Sequence, residues 1–164
     1  EGTAFTLYFP ANGCTVLPPA PAAVPEETAW RGEGYFLVAD DEEMVRHMAA
    51  RALERCGFTV LCASNGLEAV AAVRQKHGTL RGVLLDMTMP QMNGNEALRE
   101  IRAISGDLPV IMSSGYSEEE MGGEINAHER VWFLQKPYRT RDLAQLARTC
   151  AELTTDTPPE VSSS

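Results

Sequence analysis

The chain contains 164 residues, a length that suits one ordinary domain with additional segments and does not suit two large domains. Its 14 lysines and arginines against 23 aspartates and glutamates give a formal net charge of −9, which repels phosphate backbones and anionic lipid surfaces. The composition therefore argues against direct binding to nucleic acid or to a membrane, and it favours proteins or cations as partners.

Two segments at the start of the chain differ from the rest. Residues 1–11, EGTAFTLYFPA, alternate apolar and polar residues as a strand does and include a proline near their end. Residues 12–32 contain four prolines and several alanines without a helical or strand period, which is typical of a linker. Because a strand without its sheet lacks partners for its backbone groups, we expect residues 1 to about 30 to be flexible.

A regular pattern occupies residues 33–153. Five short apolar runs alternate with longer segments of helical period, and continuous hydrophobicity is typical of strands covered on both faces. The runs are YFLVA at 35–39, FTVLCA at 58–63, GVLLD at 82–86, LPVIMS at 108–113 and VWFLQ at 131–135. The pattern predicts an α/β, doubly wound (βα)5 domain with a five-stranded parallel sheet.

The segments between the runs predict five helices. Asn65 is expected to cap the second helix, and the helix after Ser117 should be short because Gly122 and Gly123 interrupt it. Residues 154–164 are too polar to fold and are predicted to form a disordered tail. The inward stripe of the first helix is predicted to comprise Val45, Met48, Ala49, Ala52, Leu53 and Cys56.

Polar residues end four of the five predicted strands. The carboxyl ends of parallel strands open onto one edge of the sheet, where ligands bind, so we expect these residues to meet there. They are Asp40 and Asp41 after the first strand, Asp86 at the third, Ser113 and Ser114 at the fourth, and Lys136 after the fifth.

This set of residues suits phosphoryl transfer. Crowded acids repel one another unless a cation lies between them, and oxygen ligands favour Mg²⁺. A metal and a lysine neutralise phosphoryl oxygens, a hydroxyl donates a hydrogen bond, and a carboxylate attacks. Asp86, alone at the end of the middle strand, is the best-placed nucleophile.

Four motifs in order carry a resemblance to a known family. They are the pair Asp40-Asp41, DMTMPQMNG at 86–94, Ser114-Gly115 and KPY at 136–138. Their order and separations resemble those of response-regulator receiver domains over roughly residues 34–153. The resemblance implies a flavodoxin-like fold with the strand order 2-1-3-4-5. The resemblance implies that Asp86 accepts a phosphoryl group from a phosphohistidine, carried by a histidine kinase or a histidine phosphotransfer domain.

The resemblance also implies roles for neighbouring residues. Asp41 and Asp86 would bind Mg²⁺ directly, Asp40 would act mostly through water, and the backbone carbonyl of Thr88 would supply a further ligand. Ser114 would follow the phosphoryl oxygen, and Lys136 would pair with it.

Two further expectations come from the same resemblance. Phe133 occupies the position of the switch aromatic residue, where it lacks the hydroxyl of the tyrosine often found there. The peptide bond between Lys136 and Pro137 is expected to be cis, although few X-Pro bonds are.

Residues 1–11 carry a second resemblance. They are similar to the last strand of the ATP-binding domain of histidine kinases, which commonly closes with a GTxFxxYFP-like pattern. This implies the C-terminal receiver of a hybrid sensor histidine kinase, located in the cytoplasm, whose parent protein could be membrane-anchored. An arbitrary strand-like leader is the other interpretation.

Simpler interpretations stay open at this point. Asp40 and Asp41 could only cap the following helix, Lys136 could be a solvated surface lysine, and Ser113 offers a hydroxyl as well as Ser114. The alternative function is a receiver-like module that docks protein partners and is never phosphorylated. The sequence specifies neither the stimulus nor the oligomeric state, nor which protein donates the phosphoryl group.

Overall fold

The computed structural model of the protein describes residues 30–116 and 130–155. These two ranges contain five strands and four helices. The strands are β1 (Tyr35–Ala39), β2 (Thr59–Ala63), β3 (Leu80–Asp86), β4 (Val110–Ser114) and β5 (Val131–Gln135). The helices are α1 (Glu43–Arg55), α2 (Gly66–Gln75), α3 (Gly94–Ile104) and α4 (Thr140–Thr155).

The strands form one parallel sheet in the order β2-β1-β3-β4-β5. This order confirms the predicted flavodoxin-like fold. The strand that carries Asp86, β3, lies in the middle of the sheet between β1 and β4. Because all five strands run in the same direction, their carboxyl ends lie along one edge.

Helices cover both faces of the sheet, and each face has its own core. Alternate residues of one strand enter opposite cores, which explains why the strands appear in the sequence as continuous apolar runs. The core beside α2 and α3 contains Leu37, Val73, Val83, Leu85, Ile101 and Met112. The core beside α1 and α4 contains Phe36, Val38, Leu53, Leu84, Ile111 and Leu143.

Two details of the predicted helices are tested by the structure. The cap of α2 is confirmed, because the Asn65 side chain accepts a hydrogen bond from the Glu68 backbone N–H at 2.9 Å. The prediction that Met48 faces inward from α1 is wrong, since 44% of that residue is exposed. Ala50 is buried instead, so the inward face of α1 is rotated from the predicted stripe.

The end of the predicted linker contacts the domain. The rings of Trp30 and Phe58 lie 5.7 Å apart, and the Gly32 N–H donates to the Cys56 carbonyl at 2.7 Å. At the other end, α4 continues to Thr155, beyond the predicted boundary at residue 153.

Three predictions concern residues outside the described ranges. The predicted short helix after Ser117 falls in residues 117–129, and the predicted flexible start and most of the predicted tail fall in residues 1–29 and 156–164. They stay predictions.

Candidate functional site

Three carboxylates meet at the carboxyl edge of the sheet. Asp40 and Asp41 follow β1, and Asp86 is the last residue of the adjacent β3. One carboxylate oxygen from each of the three lies within 4.8 Å of the other two. Asp40 and Asp86 are only 1% and 4% exposed, whereas Asp41 is exposed. The fold therefore brings together the acids that the sequence predicted at this edge.

Lys136 bridges two of these acids. Its Nζ lies 2.7 Å from Oδ2 of Asp40 and 2.8 Å from Oδ1 of Asp86. The lysine follows β5, which β4 separates from β3, so its side chain crosses the end of β4 to reach the acids. These contacts exclude the interpretation of Lys136 as a solvated surface lysine.

Asp40 has two roles that the sequence analysis treated as alternatives. Its Oδ1 accepts a hydrogen bond from the Glu42 backbone N–H at 3.0 Å, just before α1 begins. Its Oδ2 binds Lys136 at the same time. In addition, the Arg46 guanidinium donates to the backbone carbonyl of Asp40 at 2.6 Å. The backbone and side chain of Asp40 are thus both fixed before any ligand arrives.

The loop after Asp86 is packed closely against the first turn of α3. A Cβ atom built on Gly94 would lie 2.5 Å from the Asp86 carbonyl oxygen and 2.7 Å from the Cα atom of Met87. Only glycine allows this approach without a backbone shift. Asn93 and Glu96 then form a capping box that fixes the start of the helix.

Two serines at the end of β4 are both buried. Ser114 accepts a hydrogen bond on its Oγ from the Tyr116 backbone N–H at 3.1 Å. Ser113 pairs in register with Asp86, and its hydroxyl has no hydrogen-bond partner. The assignment of the phosphoryl-binding hydroxyl to Ser114 stays a prediction.

The remaining predicted residues lie around this centre. The Thr88 backbone N–H donates to Oδ2 of Asp86 at 3.2 Å, so the loop backbone is held against the carboxylate. Phe133 on β5 pairs in register with Met112 and packs, partly buried, against the core beside α2 and α3. The Lys136–Pro137 peptide bond is cis, as expected.

The electrostatics of the site follow from burial and from its paired charges. Burial raises the pKa of the Asp86 carboxyl and the charge of Asp40 adds to this, while Lys136 and the Thr88 N–H oppose it. Burial alone would lower the pKa of Lys136, but its hydrogen bonds to the two aspartates raise that pKa above its ordinary value. The ammonium is therefore charged at neutral pH.

The donor set fits a hard divalent cation. Three carboxylates converge at the site and one ammonium pairs with two of them, which leaves an excess of negative charge. All the converging side-chain ligands are oxygens, which Mg²⁺ and similar hard cations prefer to nitrogen or sulfur ligands. A cation among them would relieve the repulsion between Asp40 and Asp86.

Comparison with known proteins identifies the class. The family model of the response regulator receiver domain matches residues 36–148 of the chain. The chain therefore belongs to the response regulator receiver family, the phosphoacceptor domains of two-component systems. None of the helices within the described ranges combines the length and the apolar character needed to cross a bilayer.

The similar proteins include a hybrid kinase. The chain is 35% identical over 159 residues to sensor kinase CckA of Brucella abortus (strain 2308), covering 93% of this chain and 16% of that protein. A crystal structure of the receiver domain from hybrid histidine kinase CckA is 32% identical, with a TM-score of 0.62 over 72% of this chain and 99% of that one. A receiver domain protein from Clostridium thermocellum has a TM-score of 0.69 at 27% identity, over 74% and 97% of the two chains.

Sequence reasoning missed two residues near the site. Arg46 contacts the backbone of Asp40 from one turn into α1, a position that carries no motif. Tyr138 carries no predicted role beyond its place in KPY, although its hydroxyl is buried without a hydrogen-bond partner. A buried aromatic residue with a polar atom, two positions after a predicted site lysine, was the available signal.

Proposed function

We propose that Asp86 is the phosphoacceptor of this receiver domain and that Mg²⁺ binds beside it. The observation that carries the proposal is the arrangement of Asp86, which ends the central strand with Lys136 2.8 Å away and two more carboxylates adjacent. The alternative of a docking module that is never phosphorylated has no support from these contacts, since every group that the chemistry needs is present.

The transfer step follows from this arrangement. A carboxylate oxygen of Asp86 attacks the phosphorus of a phosphohistidine, a P–O bond forms, and the P–N bond breaks with its electron pair going to the imidazole. The product is an acyl phosphate on Asp86. Water later attacks the same phosphorus, breaks the P–O bond to Asp86 and releases inorganic phosphate.

The charges around Asp86 serve this step. Lys136 already contacts the Asp86 carboxylate, so its ammonium is placed to pair with a phosphoryl oxygen attached there. Asp41 and Asp86, with Asp40 acting through water and the Thr88 carbonyl as a further ligand, would hold Mg²⁺. When bound, the ion supplies positive charge that stabilises the phosphoryl oxygens in the transition state.

The switch that follows phosphorylation involves Ser114 and Phe133. The Oγ of Ser114 accepts from the Tyr116 N–H, and its own proton is available for a phosphoryl oxygen. Movement of Ser114 at the end of β4 would reach Phe133, since Met112 on the same strand pairs with that residue. The surface near β4 and β5 is therefore the proposed output surface.

We infer that the chain is the C-terminal receiver of a hybrid sensor histidine kinase. The match to sensor kinase CckA covers 93% of this chain, which exceeds the part covered by the receiver family model. Residues 1–11 would then be the last strand of the ATP-binding domain and residues 12–32 the linker, with the receiver at 33–153. A longer gene sequence that lacks an upstream helix carrying the donor histidine would contradict this organisation.

Phosphorylation by a small phosphodonor tests the main proposal. Incubation with acetyl phosphate and Mg²⁺ should add one phosphoryl group to the intact mass of the wild-type chain. The Asp86→Asn variant should gain none. Asp107→Asn, which removes an exposed acid outside the site, is the matched control and should gain mass as the wild type does. Equal phosphorylation of Asp86→Asn and wild type would overturn the proposal.

A further inference from the structure

The last residues of the predicted linker are anchored to the domain before β1 begins, at the amino edge of the sheet. The Trp30 ring lies 5.7 Å from the Phe58 ring, and the guanidinium carbon of Arg148 lies 5.7 Å from the centroid of the Trp30 indole. The Gly32 N–H donates to the Cys56 carbonyl at 2.7 Å, and a Cβ atom at Gly32 would collide with the Phe58 ring. Trp30 is therefore fixed against α4 and against the segment between α1 and β2.

The chain that follows Trp30 is held as well. Nε of Arg81 donates to the Glu33 carbonyl at 3.1 Å, and the same guanidinium donates to the Thr154 carbonyl at 3.2 Å. Together with Arg81, residues 31–33 line a groove on one side of Trp30. Because they occupy that side, the chain that precedes Trp30 leads to the other side.

An open groove with a volume of about 670 Å³ lies on that other side. We call it the α4 groove, because Trp30, Cys56 and one face of α4 line it. Its helix residues recur at three- and four-residue intervals and so share a face of the helix. They are Arg141, Ala144, Gln145, Arg148, Thr149 and Glu152.

The α4 groove carries an excess of positive charge, although the chain has a formal net charge of −9. Its lining includes two arginines and one glutamate, and that glutamate, Glu152, pairs with Arg148 at 2.9 Å. Arg141 belongs to no ion pair within the described ranges. It lies in the first turn of α4, where the helix dipole also favours an acid. This end of the groove therefore suits a carboxylate.

The sequence directly before Trp30 complements the groove. Residues 22–29, AAVPEETA, combine small apolar side chains and Pro25 with the acids Glu26 and Glu27. A proline restricts the backbone, so less conformational entropy is lost when such a segment binds. The two acids carry the charge that the arginines of the α4 groove attract.

The length of this segment lets its acids reach the free arginine. Four residue steps separate Glu26 from Trp30, and they extend to at most about 14 Å. Arg148 contacts Trp30, and Arg141 precedes it by seven residues, which is about 10.5 Å along the helix axis. A chain that runs from Trp30 along the α4 groove therefore brings Glu26 to Arg141.

We propose that residues 22–29 bind in the α4 groove of the same chain, with the carboxylate of Glu26 paired with Arg141. Exposed ion pairs are individually weak, but the anchor at Trp30 holds the acids at a millimolar effective concentration beside the groove. The expectation that the linker is flexible assumed that it has no partner. The contacts of Trp30 show that the end of the linker has one.

Binding in the α4 groove would determine where the linker leads. Helix α4 begins at Thr140, four residues after Lys136, and therefore at the edge of the sheet that carries Asp86. A linker in the groove would run from the amino edge towards that edge. In the proposed hybrid kinase it would direct the upstream domains towards the phosphoacceptor. The binding itself does not require phosphorylation, so the inference can fail while the proposed function stands.

Backbone order parameters of the ¹⁵N-labelled chain test the inference. At low ionic strength the amides of Glu26 and Glu27 should have order parameters near about 0.85, and Arg141→Gln should lower them below about 0.6. Salt at about 1 M should act in the same direction, because it screens exposed charges. Arg99→Gln is the matched control, since it removes an exposed arginine from α3 on the other face of the sheet. It should leave the order parameters unchanged.

A charge swap tests the proposed pair directly. Glu26→Arg alone and Arg141→Glu alone should each lower the order parameters, and the two changes together should restore them. Wild-type values below about 0.6 at low ionic strength, or values that Arg141→Gln leaves unchanged, would overturn the inference. Order that appears only as the protein concentration rises would assign the groove to the linker of a second copy and would also overturn it. Acetyl phosphate should phosphorylate every variant, because none alters the Asp86 site.

Discussion

The ammonium of Lys136 lies 2.8 Å from the carboxylate of Asp86, although 50 residues separate the two in the sequence. The same ammonium lies 2.7 Å from Asp40. The pairing depends on the sheet order, which places β3 and β5 on either side of β4. The sheet order therefore determines which charged groups surround the Asp86 carboxylate. Those groups in turn affect its pKa.

Removal of the lysine should destabilise the domain. In Lys136→Met two buried carboxylates lose the cation between them, and we expect a loss of about 1–3 kcal/mol at pH 7, below the full value for a buried pair because the lysine is partly exposed. Urea unfolding in the presence of a chelator measures the loss. Lys76→Met, which removes the only other lysine, should cost less than about 1 kcal/mol. Equal losses in the two variants would argue against the pairing.

Neutralising Asp86 should have the opposite effect. Without metal, we expect Asp86→Asn to melt at a higher temperature than the wild type at pH 7, because burial and the charge of Asp40 disfavour the Asp86 carboxylate. Mg²⁺ should reverse the order, since only the wild type keeps the full ligand set. The gain for the wild type is about 2.7 kcal/mol at a metal concentration 100 times the dissociation constant. A variant that Mg²⁺ stabilises as much as the wild type would contradict the assigned ligands.

The difference in stability between Asp86→Asn and the wild type depends on pH in a direction that the pKa of Asp86 fixes. The folded-state pKa of Asp86 is raised above the ordinary value of 3.8, so the folded state binds the proton more tightly. This stabilisation is complete below about pH 3.8 and is lost as the pH rises through the folded-state pKa. In a chelator, the advantage of Asp86→Asn should therefore be small at low pH and grow towards neutral pH. Melting temperatures of both chains across this range test the sign.

The close contact at Gly94 predicts that substitution by alanine has very different effects at Gly94 and at Gly106. Gly94→Ala would force a methyl group to 2.5 Å from the Asp86 carbonyl, and we expect a loss of about 1–3 kcal/mol together with slower phosphorylation. Gly106→Ala has no atom within 4 Å of the new methyl and should be neutral or slightly stabilising. Chemical unfolding of both variants measures the difference. A tolerated Gly94→Ala would show that the loop after Asp86 is not held in this way.

Cysteine reactivity tests the packing of α4. Cys150 is fully buried and burial raises the pKa of its thiol to about 12, so only about one molecule in ten thousand is thiolate at pH 8. Cys62 is exposed on β2. Alkylation at pH 8 followed by peptide mapping should modify Cys62 at least about 100-fold faster than Cys150. Comparable rates would mean that α4 detaches from the sheet.

The parallel sheet and its acidic edge were predictable from the sequence, and the strand order followed from the family resemblance. Continuous apolar runs indicate a two-sided parallel sheet, and in such a sheet the strand ends are adjacent whatever their separation in the chain. Asp40, Asp86 and Lys136 needed no further information to be placed together. The individual contacts within the site could not be predicted in this way.

What sequence reasoning did not provide are the details that depend on side-chain direction. The spacing of the residues does not decide whether Asp40 caps α1 or binds Lys136. The structure shows both contacts. The Arg46 contact is to a backbone carbonyl, which any residue type offers. Met48 fits the helical period but is exposed, because the apolar period only approximates the buried face. By contrast, the Asn93-Glu96 capping box has a sequence signature that was overlooked.

Chemical mapping of the phosphoryl group tests the central claim most directly. Borohydride reduces an acyl phosphate to the alcohol, so an aspartyl phosphate becomes homoserine while unmodified carboxylates do not react. After phosphorylation with acetyl phosphate and Mg²⁺, peptide sequencing by mass spectrometry should find homoserine at position 86 and aspartate at positions 40 and 41. Homoserine at either of those positions with Asp86 unchanged would contradict the account.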